Sequence, residues 1–351
     1  MKVPRLFLVC AVLAAVSSAA NNSDSEPLPE PISNNAVAIL RIHGVFELFS
    51  LMGIRAKKTW DAVTNESYEI DADTGKAYSI HAVPGTAGRI GAMAVGAQDR
   101  VVLMGGYVLY KGGGMPIPDV NIYEPGRDRW SRGADMPIPV GDAVIGVYRE
   151  RYIYVIGGRS TSGLVQDVQI YDLEKNRWMK ATPTQGTGVF GHAGGIVGDV
   201  IVYIDGAQTN PAGSSPRFVS ADECWKGKID HHDHTKIEWT KLASHPGTAR
   251  YRIAAGVSER EQVIYFSGGT DNPYDYNGIG YDGKPAQPSP VTFAYNLRSN
   301  KWETLNENTP NPTMDHRGLL VTNEGLVIIG GMEKDQKVTA RVALLSKAQT
   351  K

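Results

Sequence analysis

With 351 residues and 36 Lys and Arg against 37 Asp and Glu, the chain has no large basic field to hold nucleic acid or an anionic membrane surface. Hydrophobic residues at 42% are enough for a sizeable core, while 39 glycines and 20 prolines are too many for a mainly helical chain. Turn-rich β structure is the expectation.

Residues 1–20 read as a signal peptide: Lys2 and Arg5 precede an uncharged apolar run at 6–16, and Ser17, Ser18, Ala19 and Ala20 supply small residues for cleavage. A membrane anchor is the alternative, but the run is shorter than the roughly 20 residues needed to span a bilayer. The expected location is therefore periplasmic or secreted, with no membrane span. Cys10 lies inside the signal, so a mature chain keeps only Cys224 and has no intramolecular disulfide. A buried, inert thiol is the expected state of Cys224. Residues 21–35 are polar and proline-rich, as in a mobile leader. Asn-x-Ser matches at Asn21 and Asn65 matter only in a glycosylating pathway.

From residue 85 onward an apolar strand ending in a diglycine recurs: VVLMGG at 101–106, YIYVIGG at 152–158, VIYFSGG at 263–269 and LVIIGG at 326–331. A fifth copy, VIVYIDG at 200–206, has Asp205 in place of the first glycine. Three of the copies are followed by a Tyr and a Trp seven residues apart: Tyr123 and Trp130, Tyr171 and Trp178, Tyr295 and Trp302. Each such pair marks a hairpin whose two strands carry large aromatics suited to packing one sheet on the next. The unit is then four strands, repeated at intervals near fifty residues.

These elements in this order resemble the kelch repeat family of β-propellers, and the resemblance covers residues 85–345. Whole repeats run roughly 85–139, 140–183, 184–246 and 247–310, with the first strands of another at 311–345. Residues 36–84 form a degenerate unit with Tyr78 where tryptophan is expected. The resemblance implies an all-β propeller over 36–346 with a polar tail at 347–351. Six four-stranded blades are expected, with five or seven as alternatives, and a strand from the N-terminal segment completing the truncated last unit.

In such a ring the entrances of the innermost strands and the loops after each diglycine crowd one mouth of the central channel. The entrances carry Arg89, Asp142, His192, Arg250, Tyr251, Arg252, Asp315, His316 and Arg317, either as a ligand site or as solubilising and strand-ending groups. Two long segments serve the same face. Residues 206–239 include the run DHHDH at 230–234, whose expected metal affinity is only adventitious because adjacent histidines rarely converge on one ion. Residues 270–290 hold Tyr274, Asp275, Tyr276, Asn277, Tyr281 and Asp282, a mixture suited to sugars or to a solvated loop.

The sequence therefore points to an exported propeller that binds a glycan or a protein at a polar mouth, through Arg89, Asp142, His192, Arg252, His316, Arg317, Tyr274 and Tyr276. The alternative is a carbohydrate epimerase or mutarotase, because the chain is also similar to secreted N-acetylneuraminate epimerases of the kelch type. That resemblance implies proton transfer at a sugar ring, for which Glu223, His192, Arg250 and Arg252 are the candidates. No cofactor and no bound metal are expected. A copper oxidase, the third resemblance, requires a Tyr crosslinked to Cys and a metal constellation that this sequence does not display.

Overall fold

Each diglycine strand is the second of a small antiparallel sheet in the computed structural model, which describes residues 26–347. The expected signal peptide, the start of the leader and most of the tail lie outside the described residues. The second strands are Val45–Arg55, Arg100–Met104, Tyr152–Ile156, Val200–Ile204, Val263–Ser267 and Leu326–Ile329. They are rich in β-branched and aromatic residues and largely buried, because another sheet covers each of their faces.

The innermost strands are Ala36–Ile42, Met93–Ala97, Val144–Tyr148, Ala193–Val197, Ala254–Ser258 and Leu320–Val321. Each packs beside the next, and the last packs beside the first, so the six sheets close a ring. Small residues make this approach possible. A Cβ on Gly256 would collide with the carbonyl of Leu319, just before the neighbouring innermost strand.

Six apolar clusters lie between successive sheets, which are here called blades I to VI. Phe49 of blade I packs with Leu103 of blade II, Val102 of II with Val155 of III, and Tyr154 of III with Ile201 of IV. Ile204 of IV packs with Phe266 of V, Tyr265 of V with Ile328 of VI, and Ile329 of VI with Leu48 of I. The core is thus divided into wedges arranged around an axis.

The Tyr and Trp of each motif do stand opposite each other on the third and fourth strands, in the pairs Tyr123 with Trp130, Tyr171 with Trp178 and Tyr295 with Trp302. The tryptophans also reach the preceding blade. Trp178 Nε1 donates to the Ala134 carbonyl at 2.8 Å and Trp302 Nε1 to the Ala243 carbonyl at 2.9 Å. In blade IV the residue opposite Trp239 is Gly227, which explains the missing tyrosine: the indole occupies the space a side chain would need.

Blade VI has three strands among the described residues, ending with Val342–Leu345. The N-terminal segment closes the ring as a strap and not, as expected, as a fourth strand of blade VI, because its short strand pairs with blade I. Ile32–Ser33 pairs with the second strand of blade I, while the amides of Leu28 and Ile32 donate to the carbonyls of Ala340 and Thr339, and the Gly331 amide donates to Ile32. Residues 28–35, expected to belong to a mobile leader, are therefore held in the fold, with Leu28, Ile32, Ser33, Asn34 and Asn35 buried. The apolar side chains at 28 and 32 cover the seam between blades I and VI.

The segment 206–239 is not one long connection. It folds as a hairpin, Ala207–Thr209 with Phe218–Ser220, followed by the third strand Cys224–Ile229, a turn, and the fourth strand Ile237–Lys241.

Candidate functional site

At the face where the diglycines lie, each blade contributes one residue with a left-handed backbone just before its innermost strand: Asn34, Gly91, Asp142, Gly191, Arg252 and Asp315. Hydrogen bonds join them into a circle. The amides of Asp142, Gly191 and Arg252 donate to the carbonyls of Gly91, Asp142 and Gly191. The amide of His316 donates to Arg252, that of Asn34 to Asp315, and that of Gly91 to the Asn34 side-chain oxygen. Backbone from six distant segments thus closes one end of the channel.

Charged side chains fill the centre of this circle. Arg252 donates to Asp142 Oδ2 at 3.0 Å and to Asp315 Oδ1 at 2.9 Å. Arg317 lies 2.6 Å from Asp142 Oδ1 and donates through Nε to Asn34 Oδ1. Ser33 and Asn34 donate to Asp315. Burial alone would raise the Asp142 carboxyl, but Arg252 and Arg317 outweigh it and hold the pKa below its ordinary value. Burial likewise opposes the charge on Arg252, yet Asp142 and other neighbours keep its pKa well above normal. Two guanidinium groups and two carboxylates form a neutral, buried plug, with Arg252 only 3% exposed.

The plug is covered by the chain itself. Tyr251 and Tyr274 stack edge to face with ring centroids 5.4 Å apart, and both rings lie about 5 Å from the Arg252 guanidinium. The Asp275 carbonyl accepts from Arg252 at 2.6 Å. Tyr276, from the same loop, packs against the buried cluster of Ile54, Ala62 and Ile90, which Tyr107 and Leu109 of the blade II hairpin also cover. Residues 270–290 therefore cross the mouth and tie blade V to blades I and II. Behind the plug the channel forms a cavity of about 240 Å³, lined by apolar side chains such as Val37, Val95, Ile145 and Val257, with His192, His316 and Arg317 at the plugged end.

The residues expected at the mouth divide into two sets. Asp142, Arg252, Arg317, Tyr274 and Tyr276 come together at the plug or its cover, and His192 and His316 border the cavity beneath it. His192 Nε2 bonds to the Ile156 carbonyl and His316 Nε2 to Thr313 Oγ1, and burial lowers both imidazoles to about 4. Arg89 and Arg250, each two residues before the circle, have other partners. Arg89 donates to the carbonyl of Gly105 and to Asn121 within blade II, whereas Arg250 donates to Thr248. Glu223 bonds to Thr187 and Trp225 and makes no contact with Arg252. The side chains of the four proton-transfer candidates thus bond to different partners.

Large apolar side chains on the same face remain open to solvent. Tyr110 and Met115, 53% and 52% exposed, share one side of the hairpin Tyr107–Tyr110 with Gly113–Pro116. Trp60, 44% exposed, opens a short 3-10 helix that packs beside the first of those strands. Ile279, 39% exposed, stands on the loop that crosses the mouth.

A sequence profile of the Kelch motif matches residues 147–185, the stretch that carries the second, third and fourth strands of blade III with Tyr171 and Trp178. The chain is a six-bladed β-propeller that carries the Kelch motif. Among its curated relatives, Kelch-like protein 15 of Mus musculus is 22% identical over 252 residues, which cover 67% of this chain and 38% of the relative. Beta-scruin of Limulus polyphemus is 27% identical over 161 residues, covering 44% of this chain and 16% of the relative. The propeller thus spans less than two-fifths of the length of these relatives. A solved structure titled "Structure of YjhT" superposes with a TM-score of 0.72 at 19% identity, covering 93% of this chain and 98% of the other, and shows the shared fold.

Two features of the propeller escaped the sequence reading. Asn34 and Ser33 belong to the plug although they precede the recognisable repeats. The Asp or Asn five residues after each motif tyrosine is also structural: Tyr123 donates to Asp128 and Tyr171 to Asn176, and both turn residues are left-handed. Recurrence of Asp or Asn at that offset in the three hairpins was the available signal.

Proposed function

We propose that the chain is an exported, non-catalytic binding propeller that holds a protein ligand on its loop face. The observation that carries this reading is the group of exposed Trp60, Tyr110, Met115 and Ile279 on the face where the polar mouth is filled by the chain's own side chains. Aromatic residues and methionine are the types enriched where proteins dock. A sugar at the plug would need Asp142, Arg252, Arg317 and Asp315 to exchange one another for hydroxyl groups, at the cost of separating buried ion pairs. Export follows from the sequence reading of residues 1–20.

The test places a photocrosslinking residue at Tyr110, identifies the protein captured from the native extracellular fraction, and titrates that purified protein against wild type and a Tyr110→Ser, Met115→Ser variant. The reading expects a loss of about 30-fold or more in the variant, as for removal of a docking hot spot. Equal affinity of the two forms would contradict it. A glycan array bound equally by both forms would place a sugar elsewhere on the protein. Acceleration of N-acetylneuraminate anomer exchange by wild type, abolished by Arg252→Ala, would establish the isomerase instead.

A further inference from the structure

We infer that blade IV carries a site for one divalent ion of the zinc type, bound by Asp205, Asp222 and Cys224, an assignment that goes beyond the binding function proposed above. One carboxylate oxygen from each aspartate and the Cys224 sulfur lie within 4.8 Å of one another, the one such group among the described residues. Asp205 stands where the repeat requires glycine, on a left-handed backbone, with no side-chain exposure. Its Oδ2 accepts from the Arg250 amide at 2.7 Å and contacts His245 Nε2 at 2.6 Å, while Oδ1 is buried with no partner. A buried carboxylate oxygen without a donor is costly unless a cation or proton meets it.

The surroundings orient the donors. His245 fixes one oxygen of Asp205, and Ser244 Oγ donates to Asp222 Oδ2 at 3.0 Å, leaving the other oxygen of each carboxylate for an ion. Cys224 lies across the ladder from Ile204, next to Asp205, which sets the sulfur beside the carboxylate. A thiolate with two carboxylates excludes magnesium and calcium, which take oxygen donors alone, and suits zinc with three protein ligands and a water. Asp222 is exposed and supplies the open side through which the ion and its water enter. Binding exchanges the thiol proton for the metal: the S–H bond breaks, an S–metal bond forms, and the proton passes to solvent.

The experiment titrates the full chain with Co²⁺ as spectroscopic probe and then with Zn²⁺. The site predicts one equivalent of Co²⁺, a near-ultraviolet thiolate-to-cobalt charge-transfer band, and displacement of that band by Zn²⁺. Asp222→Asn and Cys224→Ser should each lower Co²⁺ affinity by about tenfold or more, and the serine variant should abolish the band. Asp222→Asn alters an exposed residue, so it decides the matter if Cys224→Ser fails to fold. A His231→Ala, His232→Ala variant should retain the band. Absence of the band in wild type, or binding that survives both ligand variants and is lost with the two histidines, would overturn the assignment in favour of adventitious ions on the 230–234 turn.

Discussion

Arg252 illustrates how a residue with the look of a ligand-binding group can serve the fold. Its guanidinium satisfies Asp142 and Asp315 at once, and it lies against the rings of Tyr251 and Tyr274. Removing it leaves two carboxylates buried without their main partner, so Arg252→Met should destabilise the protein by about 3–5 kcal/mol. Arg132→Met, which removes exposed pairs with Asp119 and Asp135, should cost less than about 1 kcal/mol. Urea unfolding of both variants measures the contrast, and equal, small losses would mean that the plug is not a closed ion-pair network. The buried histidines give the pH dependence. His192 faces Asp142, and His316 faces Asp315, Arg317 and Arg341, yet burial dominates in both and holds them neutral in the fold down to about pH 4. The unfolded chain takes up those protons from about pH 6.5, so the folded state loses stability as pH falls from about 6.5 to 4. His192→Gln combined with His316→Gln should flatten this limb of the stability curve, and an unchanged limb would assign it to other groups.

The repeating elements show why some of the architecture was legible and some was not. Diglycines were visible because the spacing recurs, and their cause is steric. The second glycine donates its amide to the entrance of the next blade, as Gly106 does to Val140 and Gly269 to Thr313. The first has no room for a side chain: at Gly268, φ is +74° and a Cβ would collide with the Thr313 carbonyl. Gly268→Ala should therefore cost several times more than Gly283→Ala, where φ is also positive but no atom lies within 4 Å and only about 1–2 kcal/mol of backbone strain is added. Comparable melting temperatures for the two variants would contradict this account of the motif. By contrast, pattern alone could not show that the loop at 270–290 lies across the mouth, because Tyr276 meets the cluster of Ile54, Ala62 and Ile90 only after blades I, II and V have been set on the same ring. Nor could it show that residues 28–35 are a strap, since that polar stretch gains its partners from blade I and from the opposite end of the chain together.

At the scale of the whole molecule, closure converts sequence-distant residues into neighbours. Six wedges of apolar side chains hold the sheets in a circle, and the same circle brings Asn34, Gly91, Asp142, Gly191, Arg252 and Asp315 to one end of the axis. The convergence of Asp142, Arg252 and Arg317 was legible once a propeller was recognised. Their mutual neutralisation was not, because it depends on side-chain direction inside the ring. The proposed function rests on a division of labour: polar groups seal the axis, and the exposed apolar groups around it are left to meet a partner. Native-state hydrogen exchange at the amides of Asp142, Gly191 and Arg252 tests that division most directly. A sealed plug predicts protection comparable to the Tyr152–Ile156 strand in the core, whereas exchange as fast as that of the exposed hairpin at Tyr110 would mean that the mouth opens and that the polar groups are available to a ligand.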